Sequence, residues 1–148
     1  MEILTTIGNI TEQTVDAIVV NLFEGTTDPS GATDAVDRAT GGQIRALISG
    51  GDFTGKYKQI SLLYPSSGLM APRIILIGLG KREDFTLERA RLAAATASKE
   101  AEQRGVKHLA TLAHGAGAGG FDLASAAQAT VEGSILGIYA FSTYKTDT

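Results

Sequence analysis

The feature that most constrains the fold is a near-continuous apolar run at residues 17–23, interrupted by Asn21, with Asp16 before it and Glu24 after it. A short apolar run without polar–apolar alternation is typical of a strand buried on both faces of a sheet. A loop at residues 26–31 follows, and Thr33 is placed to cap the next helix. The chain therefore predicts a central strand whose carboxyl end runs into a loop and then a helix.

Further strands and helices alternate along the rest of the chain. Strands are predicted at residues 2–7, 60–64, 73–77 and 106–113. Helices are predicted from Thr33 to Gly50-Gly51, with a break at Gly41-Gly42, and at residues 87–104 and 124–141. Alternating strands and helices predict an α/β fold, with helices on both faces of a mixed, mostly parallel central sheet in a three-layer αβα arrangement.

Length and composition narrow the class of protein. The chain has 148 residues, which is enough for one domain and not for two. The absence of cysteine excludes a disulfide framework and cysteine metal sites. A net charge of −3 argues against a dedicated nucleic-acid binder, which carries a basic excess. No apolar run approaches the roughly 20 residues of a membrane span, and no signal-peptide pattern opens the chain, so we expect a cytoplasmic domain with no membrane partner.

A glycine-rich loop, His114-Gly115-Ala116-Gly117-Ala118-Gly119-Gly120, lies between the last predicted strand and the last predicted helix. It contains the spacing G-x-G-x-x-G. However, a dinucleotide-binding Rossmann unit requires a second strand after the helix, with an acidic residue at its end, and the sequence has none. Backbone N–H groups at a helix N-terminus suit an anion, so the loop is either a plain surface turn or part of an anion site.

Residues 8–42 resemble the first half of a macro domain, the fold that binds ADP-ribose. The resemblance lies in the turn Gly8-Asn9-Ile10-Thr11, the apolar strand and the helix that starts near Gly31. It implies a crevice between the loops at residues 26–33 and 114–120. The candidate anion-binding residues are Asn9, Gly31, Gly115, Gly117, Gly119 and Gly120.

The first loop departs from the macro-domain pattern in two ways. Asn9 stands where that family carries an aspartate for the adenine amino group, and the loop lacks the family's run of glycines. Each lost charged hydrogen bond costs about 1.5–3 kcal/mol. We therefore expect no ADP-ribose binding detectable by calorimetry at a ligand concentration on the order of 100 micromolar.

No pattern in the sequence is typical of catalysis or of a metal centre. His108 and His114 lack metal-ligand spacing, and no serine lies in a nucleophile elbow. The sequence therefore predicts no catalytic residue, cofactor or metal site in this chain. A small basic cluster consists of Lys81, Arg82, Arg89 and Arg91. Such a cluster is more often a solvated face than a nucleic-acid site.

Four segments resemble the N-terminal domain of leucyl aminopeptidases, the cytosol aminopeptidase family. They are residues 16–25, which end in Phe23-Glu24-Gly25, then Gly50-Gly51-Asp52-Phe53-Thr54-Gly55-Lys56, residues 75–81, which end in Gly78-Leu79-Gly80-Lys81, and residues 131–146. The Gly-Asp-Phe-x-Gly-Lys and Gly-Leu-Gly-Lys runs are specific in combination, and the resemblance covers nearly the whole chain. That family's N-terminal domain has a macro-like fold, so both resemblances point to one architecture.

The aminopeptidase resemblance implies a macro-like domain at residues 1–141 and, at residues 142–148, the start of a linker to a catalytic domain outside this chain. It implies two divalent metal ions, Zn or Mn, in that catalytic domain, and a parent enzyme that assembles as a homo-hexamer. Some bacterial members also bind DNA. The first hypothesis is a non-catalytic domain that serves assembly or regulation. The alternatives are a macro-type binder of ADP-ribose or another phosphate ligand, and a weak DNA-contacting domain.

Overall fold

The computed structural model describes residues 1–6, 9–66, 68–116 and 119–146, with side chains up to residue 138. The strands are β1 (Glu2–Thr6), β2 (Ala17–Leu22), β3 (Ile60–Leu63), β4 (Ile74–Gly78) and β5 (His108–Leu112). The helices are α1 (Gly31–Ala39), α2 (Gln43–Ser49), α3 (Leu87–Gln103) and α4 (Leu123–Thr146). Two short 3₁₀ turns, Ile10–Glu12 and Arg82–Asp84, follow β1 and β4.

The described strands form one sheet in the order β1-β5-β2-β4-β3. The pairs β1–β5, β5–β2 and β2–β4 are parallel, whereas β3 runs antiparallel to β4 at one edge. The predicted mixed, mostly parallel sheet is confirmed. Because β5, β2 and β4 are parallel neighbours, their carboxyl ends meet at one edge of the sheet.

Two apolar cores cover the two faces of this sheet. One core packs the alanine stripe of α3 and Ala129 of α4 against Val19, Ile75 and Leu109. The other packs α1 and α2, through Val36 and Ile44, against the alternate residues of the same strands. The central strands are therefore buried on both faces, as their apolar runs predict, and the molecule has three layers in the order helix, sheet, helix.

The first helical segment is broken as predicted, since Gly41 and Gly42 adopt φ of +73° and +91° between α1 and α2. The prediction that Thr33 caps this segment is wrong, because α1 already begins at Gly31 and Ser30 occupies the N-cap position. The Thr33 hydroxyl instead donates to the backbone oxygen of Asn21, at 2.9 Å. It therefore ties α1 to the end of β2.

The last helix extends further than its sequence suggests. It ends at Thr146 rather than at residue 141. Residues 142–146 of the stretch predicted as the start of a linker are therefore helical. Within the described ranges, no helix combines the length and the apolar character needed to cross a membrane.

Candidate functional site

A cavity of about 430 Å³ opens at the carboxyl ends of the central strands. The loop before α1 and the first turn of α1 line one side, through residues that include Thr26, Asp28 and Gly31. The segment after β5, with Ala113 and Gly115, lines the other side. A crevice is therefore present between the two loops that the sequence predicts will flank it.

The candidate anion-binding residues are distributed unevenly around this cavity. Gly31 and Gly115 line it. Asn9 is exposed beside the turn Ile10–Glu12 and is not among the described lining residues, and neither are Gly119 and Gly120. Gly117 lies outside the described residues. Anion binding by this set stays a prediction.

Aromatic packing explains one glycine of the loop. Gly115 adopts a φ of +96°, and a Cβ placed there would lie 2.5 Å from the ring of Phe85. Phe85 in turn packs edge-on against Phe23, with ring centroids 5.2 Å apart, and against Phe121, at 5.9 Å. The guanidinium of Arg82 lies over the Phe23 ring at 4.5 Å, so a cation and an aromatic ring share this wall of the cavity.

A buried histidine underlies the cavity at the end of β5. The side chain of His114 is fully buried, and its Nδ1 lies 2.9 Å from Nδ2 of Asn21, a residue of β2 that lines the cavity. Burial lowers the pKa of the His114 ring to about 4, so the ring is neutral at neutral pH. The sequence places His114 only at the edge of a loop. The signal that could have found the pair is that Asn21 and His114 both lie at the carboxyl ends of predicted strands.

A charge network holds the loop that precedes α1. The guanidinium of Arg45 on α2 contacts Asp28 in the loop, Asp34 at 2.8 Å and Asp37 at 2.5 Å. Hydrogen bonding from Arg45 lowers the pKa of Asp34, whose other oxygen lies 3.0 Å from Nε of Arg38. The network joins three carboxylates to two guanidinium groups and so carries one negative charge in excess. Of its members, Asp28 is the one among the described lining residues of the cavity.

The basic cluster proposed for nucleic acid is largely engaged within the domain. Arg91 is paired with Glu88 at 2.6 Å and with Glu132 at 2.9 Å. The guanidinium of Arg89 lies over the ring of Tyr57 at 4.6 Å. Since Arg82 lies over Phe23, three of the four cations contact side chains of the domain.

Three of the segments that carry the aminopeptidase resemblance meet at one place in the structure. The amide of Glu24 donates to the backbone oxygen of Gly80 at 2.8 Å, and the amide of Gly80 donates to the oxygen of Gly55 at 2.9 Å. A Cβ on Gly78 would overlap the backbone of Lys56, and a Cβ on Gly55 would lie 2.6 Å from the carbonyl oxygen of Phe23. These glycines therefore allow three backbone segments to approach closely.

In the part of the chain that the structure describes, no three His, Cys, Asp or Glu side chains are grouped so that they could hold a metal ion. The described residues therefore do not fit a metal centre, and no step of metal chemistry is derived for them.

Comparison with known sequences gives a consistent result. The model of the cytosol aminopeptidase family, N-terminal domain, matches residues 19–148. A probable cytosol aminopeptidase of Roseiflexus castenholzii is 35% identical over 147 residues, which cover 99% of this chain and 27% of that protein. A probable cytosol aminopeptidase of Geobacter sp. strain M21 is 35% identical over 148 residues, which cover 99% of this chain and 28% of that protein. The chain thus spans about a quarter of the length of these curated relatives.

Comparison with solved structures supports the fold. A tomato leucine aminopeptidase mutant superimposes with a TM-score of 0.70 at 20% identity, over 93% of this chain and 28% of that chain. A Trypanosoma brucei macrodomain in complex with ADP superimposes with a TM-score of 0.71 at 17% identity, over 90% of this chain and 55% of that chain. At these identities the likeness shows a shared macrodomain-like fold.

Proposed function

The chain belongs to the cytosol aminopeptidase family as its N-terminal domain, and on that premise we propose that it is a non-catalytic domain that serves the assembly or regulation of a metal-dependent aminopeptidase. The observation that carries this proposal is the family match over residues 19–148, together with relatives of which this chain spans about a quarter. Peptide-bond hydrolysis then belongs to the remaining part of such an enzyme.

The rest of the proposal follows the family resemblance. The domain occupies residues 1–141, and residues 142–148 begin the connection to the catalytic domain. The two divalent metal ions, Zn or Mn, bind in that catalytic domain, and six copies of the whole enzyme assemble in the cytoplasm.

The isolated chain provides the first test. We expect no hydrolysis of a leucine anilide by the purified 148-residue protein with added manganese or zinc, because the described residues offer no grouped metal ligands. A matched measurement on a full-length family member verifies the assay. Turnover that co-purifies with the chain and is lost through a point mutation in it would contradict the proposal.

The cavity supports a second candidate, a macro-type module for ADP-ribose or another phosphate ligand. Its position at the carboxyl ends of parallel strands favours ligand binding in general. The excess negative charge around Arg45 and the place of Asn9 outside the lining disfavour a diphosphate. A third candidate, DNA contact, is weakened because Arg82, Arg89 and Arg91 are already packed against other side chains.

A further inference from the structure

We propose that the cavity at the carboxyl ends of the central strands binds a small zwitterion with an apolar side chain, namely an apolar L-amino acid. This class of molecule is what an aminopeptidase releases, so the inference rests on the proposed function and gives the domain a way to sense the product.

The size and the walls suit a small apolar side chain. At about 430 Å³ the cavity lies near the lower end of the range of roughly 300–1,000 Å³ for small-molecule sites. Leu22, Phe23, Leu79 and Leu112 line it, and each is less than 9% exposed. These side chains are fixed by the cores beneath them. They therefore form a preformed apolar wall rather than one that a ligand must order.

The Asn21 amide supplies an acceptor at this wall. The hydroxyl of Thr111 donates to the backbone oxygen of Leu112 at 3.0 Å, so its lone pairs face Nε2 of His114, 3.5 Å away. This arrangement favours the tautomer with hydrogen on Nε2, which leaves Nδ1 to accept from Nδ2 of Asn21. The Asn21 amide nitrogen is then engaged by His114. Its side-chain oxygen has no hydrogen-bond donor among the residues that the structure describes, so it can accept an N–H from a ligand.

Charged residues of both signs line the cavity beside the apolar wall. Asp28 lines the cavity beside Arg45, in the network with one negative charge in excess, and this side suits an ammonium group. Arg82 is the one cationic residue among the described lining residues and lies over Phe23, where a carboxylate would find a positive partner. A lining with one guanidinium and one carboxylate matches a zwitterion better than a diphosphate, which carries at least two negative charges.

The test uses the 148-residue protein and amide-resolved NMR titrations. L-leucine is expected to bind with a dissociation constant on the order of 1 mM, the range expected of so small a ligand, and to shift amides around the cavity. N-acetyl-L-leucine lacks the ammonium group and is expected to bind at least tenfold more weakly. ADP-ribose is the anionic competitor and is expected not to bind at a concentration on the order of 100 micromolar.

Variants assign the two ends of the ligand. Asn21→Ala should weaken leucine binding about tenfold, since an acceptor for a charged donor is lost, whereas Asn9→Ala, a matched change outside the cavity, should leave it unchanged. Arg82→Gln should weaken binding of L-leucine but not of L-leucinamide, which has no carboxylate. If Asn21→Ala does not give a folded spectrum, Asp28→Asn tests the ammonium end, and it should weaken both ligands.

Three results would overturn the inference. They are no saturable shift with L-leucine up to a concentration of about 10 mM, equal binding of N-acetyl-L-leucine, or micromolar binding of ADP-ribose at the same amides. None of them bears on the anilide assay of the isolated chain. Failure of product binding can therefore be told apart from failure of the proposed function.

Discussion

At the scale of single residues, Asp37 joins the two helices on one face of the sheet. Its side chain is about 3% exposed. One carboxylate oxygen accepts the amides of Ile44 and Arg45, both at 2.9 Å, and the other contacts the Arg45 guanidinium at 2.5 Å. The first turn of α2 is thus capped by a carboxylate from α1, an arrangement that stabilises exposed amide groups at a helix start.

Asp37→Asn removes the charge and one acceptor from this buried site. We expect a loss of about 3 kcal/mol in the free energy of unfolding, measured by urea denaturation, because the buried carboxylate loses the charge that its contacts with two amides and a guanidinium stabilise. Asp28→Asn is the matched control, since Asp28 contacts the same Arg45 but its side chain is 85% exposed. Equal losses for the two variants would contradict the role given to burial.

His114 makes stability depend on pH. Its pKa is about 4 in the folded state, against an ordinary value of 6.5, because burial disfavours the imidazolium. The unfolded chain therefore binds more protons between these values, so stability is full above pH 6.5 and falls as the pH drops towards 4. Each pH unit in this window costs at most about 1.4 kcal/mol.

Urea unfolding at pH 7, 6 and 5 measures this dependence. Over that window the lowered pKa values of Asp16, Asp34 and Glu132 contribute little, because their ordinary values are 3.8 to 4.5. His114→Gln should flatten the curve. A slope that persists in His114→Gln would contradict the assignment.

At the scale of elements, α3 and α4 pack closely because α4 carries glycine at two positions one turn apart. A Cβ on Gly133 would overlap the carbonyl oxygen of Arg91, and one on Gly137 would overlap the backbone of Ala95. The hydroxyl of Ser98 donates to the oxygen of Ser134 at 2.8 Å across the same contact. The glycines let the two helix backbones approach within hydrogen-bonding reach of a serine.

Gly133→Ala tests this close approach. Alanine raises helix propensity by about 1 kcal/mol, but the added methyl meets backbone that cannot move aside, so we expect a net destabilisation of about 1–3 kcal/mol. Gly119→Ala is the control, because a Cβ there would lie 3.4 Å from the Phe23 ring, an ordinary contact. A melting temperature for Gly133→Ala at or above that of the parent would show that the helices can separate without cost.

The elements also show what a sequence can predict. Residues 17–23 are apolar except for Asn21, and residues 73–77 are apolar except for Arg73. Both ranges form central strands to within one residue at each end. The end of α4 was predicted wrongly because no glycine or proline follows residue 137 to stop a helix. The position of the cavity follows from parallel strands, but the Asn21–His114 pair depends on strand order, which local patterns do not contain.

At the scale of the whole molecule, the motifs of the family serve its architecture. Gly55 and Gly80, from two of these motifs, are hydrogen-bonded to each other through their backbones, beside the end of β2. The glycines of these motifs therefore fix the fold, while the cavity nearby is lined by residues of the same segments, such as Asn21 and Leu79, and by residues outside them, such as Asp28. We therefore expect the domain to have a supporting role, not a catalytic one.

A domain exchange measures that role most directly. The N-terminal domain of the Roseiflexus castenholzii relative, which is 35% identical to this chain over 147 residues, is either deleted or replaced by this chain. Mass by light scattering and leucine anilide hydrolysis are then recorded for both proteins and for the unaltered relative. We expect the deletion to lower the number of subunits per particle, or the rate of hydrolysis, and the exchange to restore it. An exchange with the subunit number and the rate of the deletion would contradict the supporting role. So would a deletion that keeps the subunit number and the rate of the unaltered relative.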